Sequence, residues 1–142
     1  MVEQTYQRIE TVLLAEDDDD IREAIELLLG TLKLKFISVA NGLLASKVLA
    51  SEKIDVLITD FRMPKMDGIQ LLAWCRTRKM HLPVIFFSAN ADLIPIEKIA
   101  LLDCCAFLMK KPINVEALVN ALKAADQLIH HPNCVHHRAT PV

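Results

Sequence analysis

Asp60 stands where an apolar run, Val56, Leu57 and Ile58, leads almost directly into an aspartate, and a Met63-Pro64 turn and an Asp67-Gly68 turn follow it. Other polar residues follow short apolar runs in the same way: Glu16 and Asp17 after the first such run, Ser88 after Phe87, and Lys111 shortly after Met109. Together these residue types suit phosphoryl transfer to a carboxylate. Asp60 would be the nucleophile that forms an aspartyl phosphate. Asp17 and Asp60 would hold a hard divalent cation, Mg²⁺ above all, with water and a phosphate oxygen completing its octahedron. Lys111 would pair with a phosphoryl oxygen, and Ser88 would donate a hydrogen bond to it. Each residue also has a plainer role: Asp60 as a turn starter, Lys111 as a solvated loop lysine, Ser88 as an ordinary strand-end hydroxyl. Their joint placement carries the chemistry.

Periodicity supplies the elements that would position them. The continuous apolar run before Asp60 suits a strand buried on both faces of a parallel sheet, and Asp55 to Asp60 is read as the third of five strands. The others are Thr11 to Ala15, Phe36 to Val39, Pro83 to Phe87 and Ala106 to Met109. Helical spacing marks Ile21 to Leu32, Leu43 to Ser51 after the Ala40-Asn41-Gly42 turn, and Ile69 to near Lys79. A fourth helix is capped by Asp92, with Pro95 in its first turn, and a fifth runs from Val115 to Leu128, capped by Asn114. Strands alternating with helices predict a single parallel sheet with helices on both faces, and right-handed crossovers bring the strand ends to one edge. Five acids run from Glu16 to Asp20. Asp19 or Asp20 can cap the first helix and favour its positive end, but Glu16 and Asp17 precede it. Two carboxylates about 4 Å apart repel by roughly 4 kcal/mol at an effective dielectric near 20. A cation would remove that cost.

The chain has 142 residues, 53% of them hydrophobic, which predicts one domain with a full core and excludes disorder throughout. A net charge of −2 does not mark a general nucleic-acid binder. With no long apolar run and no signal-peptide pattern, a soluble, cytoplasmic protein away from the membrane is expected. Cys75, Cys104, Cys105 and Cys134 have no metal-site spacing and are read as reduced thiols. Residues 1–10 are read as a leader and 11–129 as the domain. Residues 130–142 are read as a disordered tail, whose four histidines and one cysteine offer metal binding as the lesser alternative. The fourth helix carries more apolar residues than one core-facing stripe needs, among them Leu93, Ile94, Ile96 and Ile99. With the fifth strand and fifth helix it is expected to form a homodimer or partner surface.

The chain resembles the receiver domains of two-component response regulators from about Thr11 to Leu128. The residues that carry the resemblance are Val12 to Asp18 with Asp20 to Arg22, Ala40 to Gly42, Asp55 to Pro64 with Met66 to Gly68, Pro83 to Ile85 with Ser88-Ala89, and Lys111-Pro112 with the helix after Asn114. The resemblance implies a flavodoxin-like, doubly wound (βα)5 fold with strand order 2-1-3-4-5. It implies that Asp60 takes a phosphoryl group from a histidine kinase or phosphotransfer protein, and that the domain catalyses only its own phosphorylation and dephosphorylation. The cation would be held by Asp17, Asp60 and the backbone carbonyl of Arg62, with Glu16 acting through a water. Ser88 is implied as the switch hydroxyl and Lys111, before a cis Pro112, as the site lysine. By the same resemblance, Arg62 and Asn90 stand where such domains tune the lifetime of the phosphorylated state. Read as a complete chain, the domain is expected to stand alone and to dock on a downstream protein or relay phosphate.

The sequence departs from the family at three places. The aromatic residue expected three positions before the site lysine is Leu108, with Phe107 one place earlier, which weakens coupling through an aromatic rotor. Taking Lys110 as the site lysine would restore the aromatic spacing but lose the lysine-proline pair, so Lys111 is preferred. Cys104 replaces a glycine before the fifth strand, and Lys33 stands where a glycine often ends the first helix. Two rival readings remain. A haloacid-dehalogenase-type phosphatase needs Asp-x-Asp followed by Thr or Val, whereas Asp17-x-Asp19 is followed by Asp20 and Ile21. A phosphate-independent interaction module of the same fold need not retain Glu16, Asp17, Asp60, Ser88 and Lys111 together.

Overall fold

A computed structural model of the protein describes residues 9–88, 106–110 and 114–128. The strands are β1 (Thr11–Ala15), β2 (Lys35–Val39), β3 (Val56–Asp60), β4 (Val84–Ser88) and β5 (Ala106–Lys110). They form one parallel sheet in the order β2-β1-β3-β4-β5, as expected. The described helices are α1 (Asp19–Thr31), α2 (Gly42–Ser51), α3 (Gly68–Thr77) and α4 (Val115–Leu128). Here α4 is the last of the helices expected from the sequence. The helix expected after Asp92 lies outside the described residues, as do Asn90, Lys111, Pro112, Cys104, Cys105, Cys134 and the histidine-containing tail.

Because side chains on a strand alternate between faces, the short apolar strands feed two cores. Leu13, Leu57, Val84 and Phe86 pack with Ala45 and Leu49 of α2 and with Ile69, Leu71, Leu72 and Cys75 of α3. On the opposite face Val12, Leu14, Val56, Ile58, Ile85 and Phe87 pack with Ile25 and Leu29 of α1 and Leu118, Leu122 and Ala125 of α4. Full burial of such a side chain is worth about 1.5–3 kcal/mol, so the central strands β1, β3 and β4 anchor both layers. Ile9, assigned to the leader by sequence, is also in this core at 3% exposure, and its N–H donates to Asp126 Oδ1 of α4 at 2.9 Å.

Element boundaries move by a residue or two from those expected. The first helix is capped by Asp18, whose carboxylate accepts from Ile21 N at 3.0 Å. Asp19 and Asp20, the expected caps, lie instead in the first turn, where they still favour the helix dipole. Asn41 caps α2 and Asn114 accepts from Ala117 N at 2.7 Å. Asp67, read from sequence as part of a turn, caps α3 in a reciprocal capping box with Gln70.

Candidate functional site

The sheet order reverses between β1 and β3, which lie side by side although a strand and two helices separate them in sequence. Ligand crevices of open α/β sheets form at such a point, outside the carboxyl ends of the strands. The register pairs Ala15 with Thr59, so the next positions on the two strands are Glu16 and Asp60. Glu16 extends the ladder by one bond, its N–H donating to Val39 O at 3.1 Å. The Glu16 side chain is fully buried, and its Oε2 accepts from Asp18 N at 2.9 Å. Asp17, between them, is exposed. Asp60 is 9% exposed at the mouth of the crevice. One carboxylate oxygen from each of Glu16, Asp17 and Asp60 lies within 4.8 Å of the others.

The five-acid run is thereby divided between separate tasks. Glu16 and Asp17 join Asp60; Asp18 caps α1; Asp19 pairs with Arg22 at 2.5 Å; Asp20 lies in the first helical turn. Three converging carboxylates, with no sulfur or imidazole among them, form a donor set for a hard divalent cation of the Mg²⁺, Mn²⁺ or Ca²⁺ type. The residues present therefore fit such an ion.

The segment after Asp60 is held against the site by backbone contacts. Phe61 N donates to Phe87 O at 3.2 Å, Gly68 N to Phe61 O at 3.1 Å, and Met66 N to Pro64 O at 2.8 Å around Lys65, whose φ is 70°. Arg62 N donates to Asp60 Oδ1 over a long 3.4 Å, and the buried Thr59 hydroxyl donates to Asp60 O at 3.0 Å. The first residues of α2 and α3 are glycines lying against this segment. A Cβ on Gly68 would sit 2.6 Å from Asp60 O, and one on Gly42 would sit 2.1 Å from Met66 O. The Phe61 ring meets Phe86 at a centroid distance of 5.3 Å, closing the floor beneath the loop.

Ser88 ends β4 and pairs in register with Lys110, the last residue of β5, so the last residues of both strands reach the same edge. Leu108 pairs with Phe86 and is 36% exposed. Sequence reading singled out Glu16, Asp17 and Asp60. It did not single out the two glycine contacts, the Thr59 hydroxyl or the Asp67 cap. Of these only the cap had a local signal, the Asp67 to Gln70 spacing.

A family model described as the response regulator receiver domain matches residues 12–123. The chain belongs to that family. Its receiver domain is 40% identical over 111 residues to response regulator protein FleR of Pseudomonas aeruginosa, covering 77% of this chain and 23% of FleR. It is 40% identical over 82 residues to the DNA-binding transcriptional regulator NtrC of Escherichia coli, covering 58% of this chain and 18% of NtrC. This receiver thus spans less than a quarter of the length of either relative. Among solved structures, the receiver domain of the Francisella response regulator 1452 superposes with a TM-score of 0.73 at 25% identity, covering 83% of this chain and 97% of that one. A Clostridium thermocellum receiver domain, at 24% identity and a TM-score of 0.74, shares the fold. Among the described residues, no helix of the receiver is long and apolar enough to cross a membrane.

Proposed function

We propose that this receiver accepts a phosphoryl group on Asp60 from a histidine kinase or phosphotransfer protein, in a Mg²⁺-dependent reaction, and that the phosphate switches a protein-interaction surface. The observation that supports this most directly is the convergence of Glu16, Asp17 and Asp60 within 4.8 Å where the ends of β1 and β3 lie side by side. An Asp60 carboxylate oxygen forms the new bond to phosphorus as the bond from phosphorus to the donor's imidazole nitrogen breaks. The electron pair of that bond stays on the donor, which takes up a proton. Asp17, Asp60 and the Arg62 carbonyl would hold the Mg²⁺, with Glu16 reaching it through water; when bound, the ion neutralises the charge that gathers on the phosphoryl oxygens. Ser88 donates to a phosphoryl oxygen and Lys111 pairs with another. No substrate other than its own phosphoryl donor is proposed.

The switch would run from Ser88 into the segment beyond β4 and bias a surface to which β5, α4 and the helix expected from sequence after Asp92 contribute. Leu108 and Val115, 36% and 48% exposed, give that surface apolar character, and a downstream protein or a second copy of this chain is its partner. With Lys111 as the site lysine, Leu108 takes the place of the family's aromatic residue, which weakens coupling through an aromatic rotor. The reading places the domain in the cytoplasm, with no direct contact to nucleic acid. Incubation with Mg²⁺ and a small acyl-phosphate donor, followed by intact-mass measurement, tests it: a phosphate-sized increase is expected for the wild type and absent from Asp60→Ala. No increase in the wild type, or an equal increase in the variant, would sink the proposal.

A further inference from the structure

Arg22 is not among the residues assigned to the chemistry, yet it holds the turn that presents two of them. Its side chain is only 20% exposed. Nη1 donates to the Glu16 carbonyl at 2.9 Å, and Nη2 reaches Asp19 Oδ1 at 2.5 Å. On the other side Nε lies 4.0 Å from Glu26 Oε2, the same oxygen that accepts from the Ser38 hydroxyl of β2. One planar guanidinium therefore ties the end of β1 to the first turn of α1, while Glu26, one turn further along α1 and bonded to Ser38 of the edge strand, attracts it at ion-pair distance. Glu16 is gripped at three points: its N–H by Val39, its carbonyl by Arg22 and its carboxylate by the Asp18 N–H. Asp17, exposed and with no such grip of its own, is oriented by the residues on either side of it.

We propose that Arg22 is a positioning residue: it clamps the β1–α1 turn so that Glu16 and Asp17 converge on Asp60 before a cation arrives, with Glu26, itself held by Ser38, attracting its guanidinium. Pre-organisation matters here because like charges do not converge unaided. A turn free to open would separate the three carboxylates and would have to be closed again at the expense of cation affinity. The competing account is charge alone: a cationic side chain near five acids offsets their repulsion and, being positive, disfavours a bound cation. The two accounts part at Arg22→Lys, which keeps the charge but loses the fork that reaches the carbonyl and the carboxylate together.

The inference rests on the cation site of the proposed function, and Mg²⁺ titration by calorimetry on the full chain tests both separately. Arg22→Lys is expected to bind Mg²⁺ roughly tenfold more weakly than the wild type, the scale of second-shell losses at metal sites. Arg22→Met should lose less, because removing the positive charge favours the cation. In the metal-free protein, amide exchange at Asp17 to Asp19 should quicken in Arg22→Lys while the urea midpoint moves little, a pattern that a general loss of stability would not give. Ser38→Ala, which changes no charge but frees the Glu26 carboxylate that faces the clamp, should shift the affinity in the same direction and carries the test if Arg22→Lys does not fold. Wild-type Mg²⁺ affinity in Arg22→Lys, above all with tighter binding in Arg22→Met, would overturn the clamp and leave charge alone. A wild type that binds no Mg²⁺ would overturn the cation site and the clamp with it.

Discussion

Gly68 opens α3 with its backbone against Asp60, and neither it nor Gly42 has a positive φ, so the conformational freedom of glycine is not what the positions require. What they require is the absence of a methyl group. In Gly68→Ala the Cβ would lie 2.6 Å from a strand carbonyl and 2.9 Å from Phe86 Cε1, and backbone in a central strand cannot give way as a flexible side chain can. The variant is expected to lose about 1–3 kcal/mol, the usual range for overpacking, and to lower the rate of Asp60 modification by the acyl-phosphate donor. Unchanged urea midpoint and unchanged rate would refute that reading. Cys75 offers a second test. Burial in the core beneath α3 pushes its thiol up to about 11 from 9.0, against the weaker opposing pull of Arg76 and Arg78. The unfolded chain therefore releases the Cys75 proton at lower pH than the folded one, and this contribution to stability is intact below pH 9 and lost as pH rises toward 11. Cys75→Ala should remove that part of the alkaline loss, on the order of 2 kcal/mol, seen as the difference between the urea midpoints of the two proteins from pH 8 to pH 10.5.

Helix α1 ends with its glycine and its lysine in each other's preferred places. Gly30 sits inside the helix with nothing within 4 Å of where a Cβ would go. Lys33 takes the left-handed position after the cap, with φ 61°, where Lys33 N bonds Gly30 O at 3.0 Å and Leu34 N bonds Leu29 O at 3.2 Å. That hydrogen-bond pair is the Schellman closure, which glycine normally completes. Gly30→Ala is expected to stabilise the domain by about 0.5–1 kcal/mol, and Lys33→Gly by about 1 kcal/mol, each measured as a rise in urea midpoint at constant slope. The lysine was legible in the sequence as a departure, but its backbone conformation was not. At this scale the strands and helices were legible because Val12 to Ala15 and Val56 to Ile58 are apolar runs too short for helices, and because Ile25 and Leu29 repeat at helical spacing. The cap of α1 was placed one or two residues late, since any of three consecutive aspartates satisfies the same rule and only the backbone selects Asp18. The approach of Gly42 to Met66 and the grip of Arg22 on the Glu16 carbonyl join segments through backbone atoms, for which no residue type is a signal.

Across the whole molecule, the sheet that buries two cores also forces three carboxylates to one edge. Strand order places the ends of β1 and β3 side by side, and register sets Glu16 level with Asp60, so these two backbone positions cannot part without breaking the ladder that stabilises the fold, while the turn held by Arg22 adds Asp17 to them. The metal-free domain therefore carries a repulsion that its architecture imposes, and removing one charge should make it more stable. Asp17 is the residue to change, because it is exposed and makes no contact on which a helix or strand depends, whereas Glu16 receives the Asp18 N–H and Asp60 the Arg62 N–H. Near water each close pair of charges repels by about 1 kcal/mol and Asp17 belongs to two such pairs, so Asp17→Asn should raise the stability of the metal-free protein by about 1–2 kcal/mol in low salt, and by less as salt is added. Mg²⁺ reverses the order. An ion that binds only the folded state stabilises it by about 2.7 kcal/mol at a hundred times its dissociation constant, and Asp17→Asn should forfeit most of that gain. Urea midpoints of the two proteins plotted against Mg²⁺ concentration should therefore cross, the variant leading at zero and the wild type at saturation. Parallel curves would mean that Asp17 takes no part in holding the ion, and curves that are both flat would mean that the three carboxylates converge without binding one.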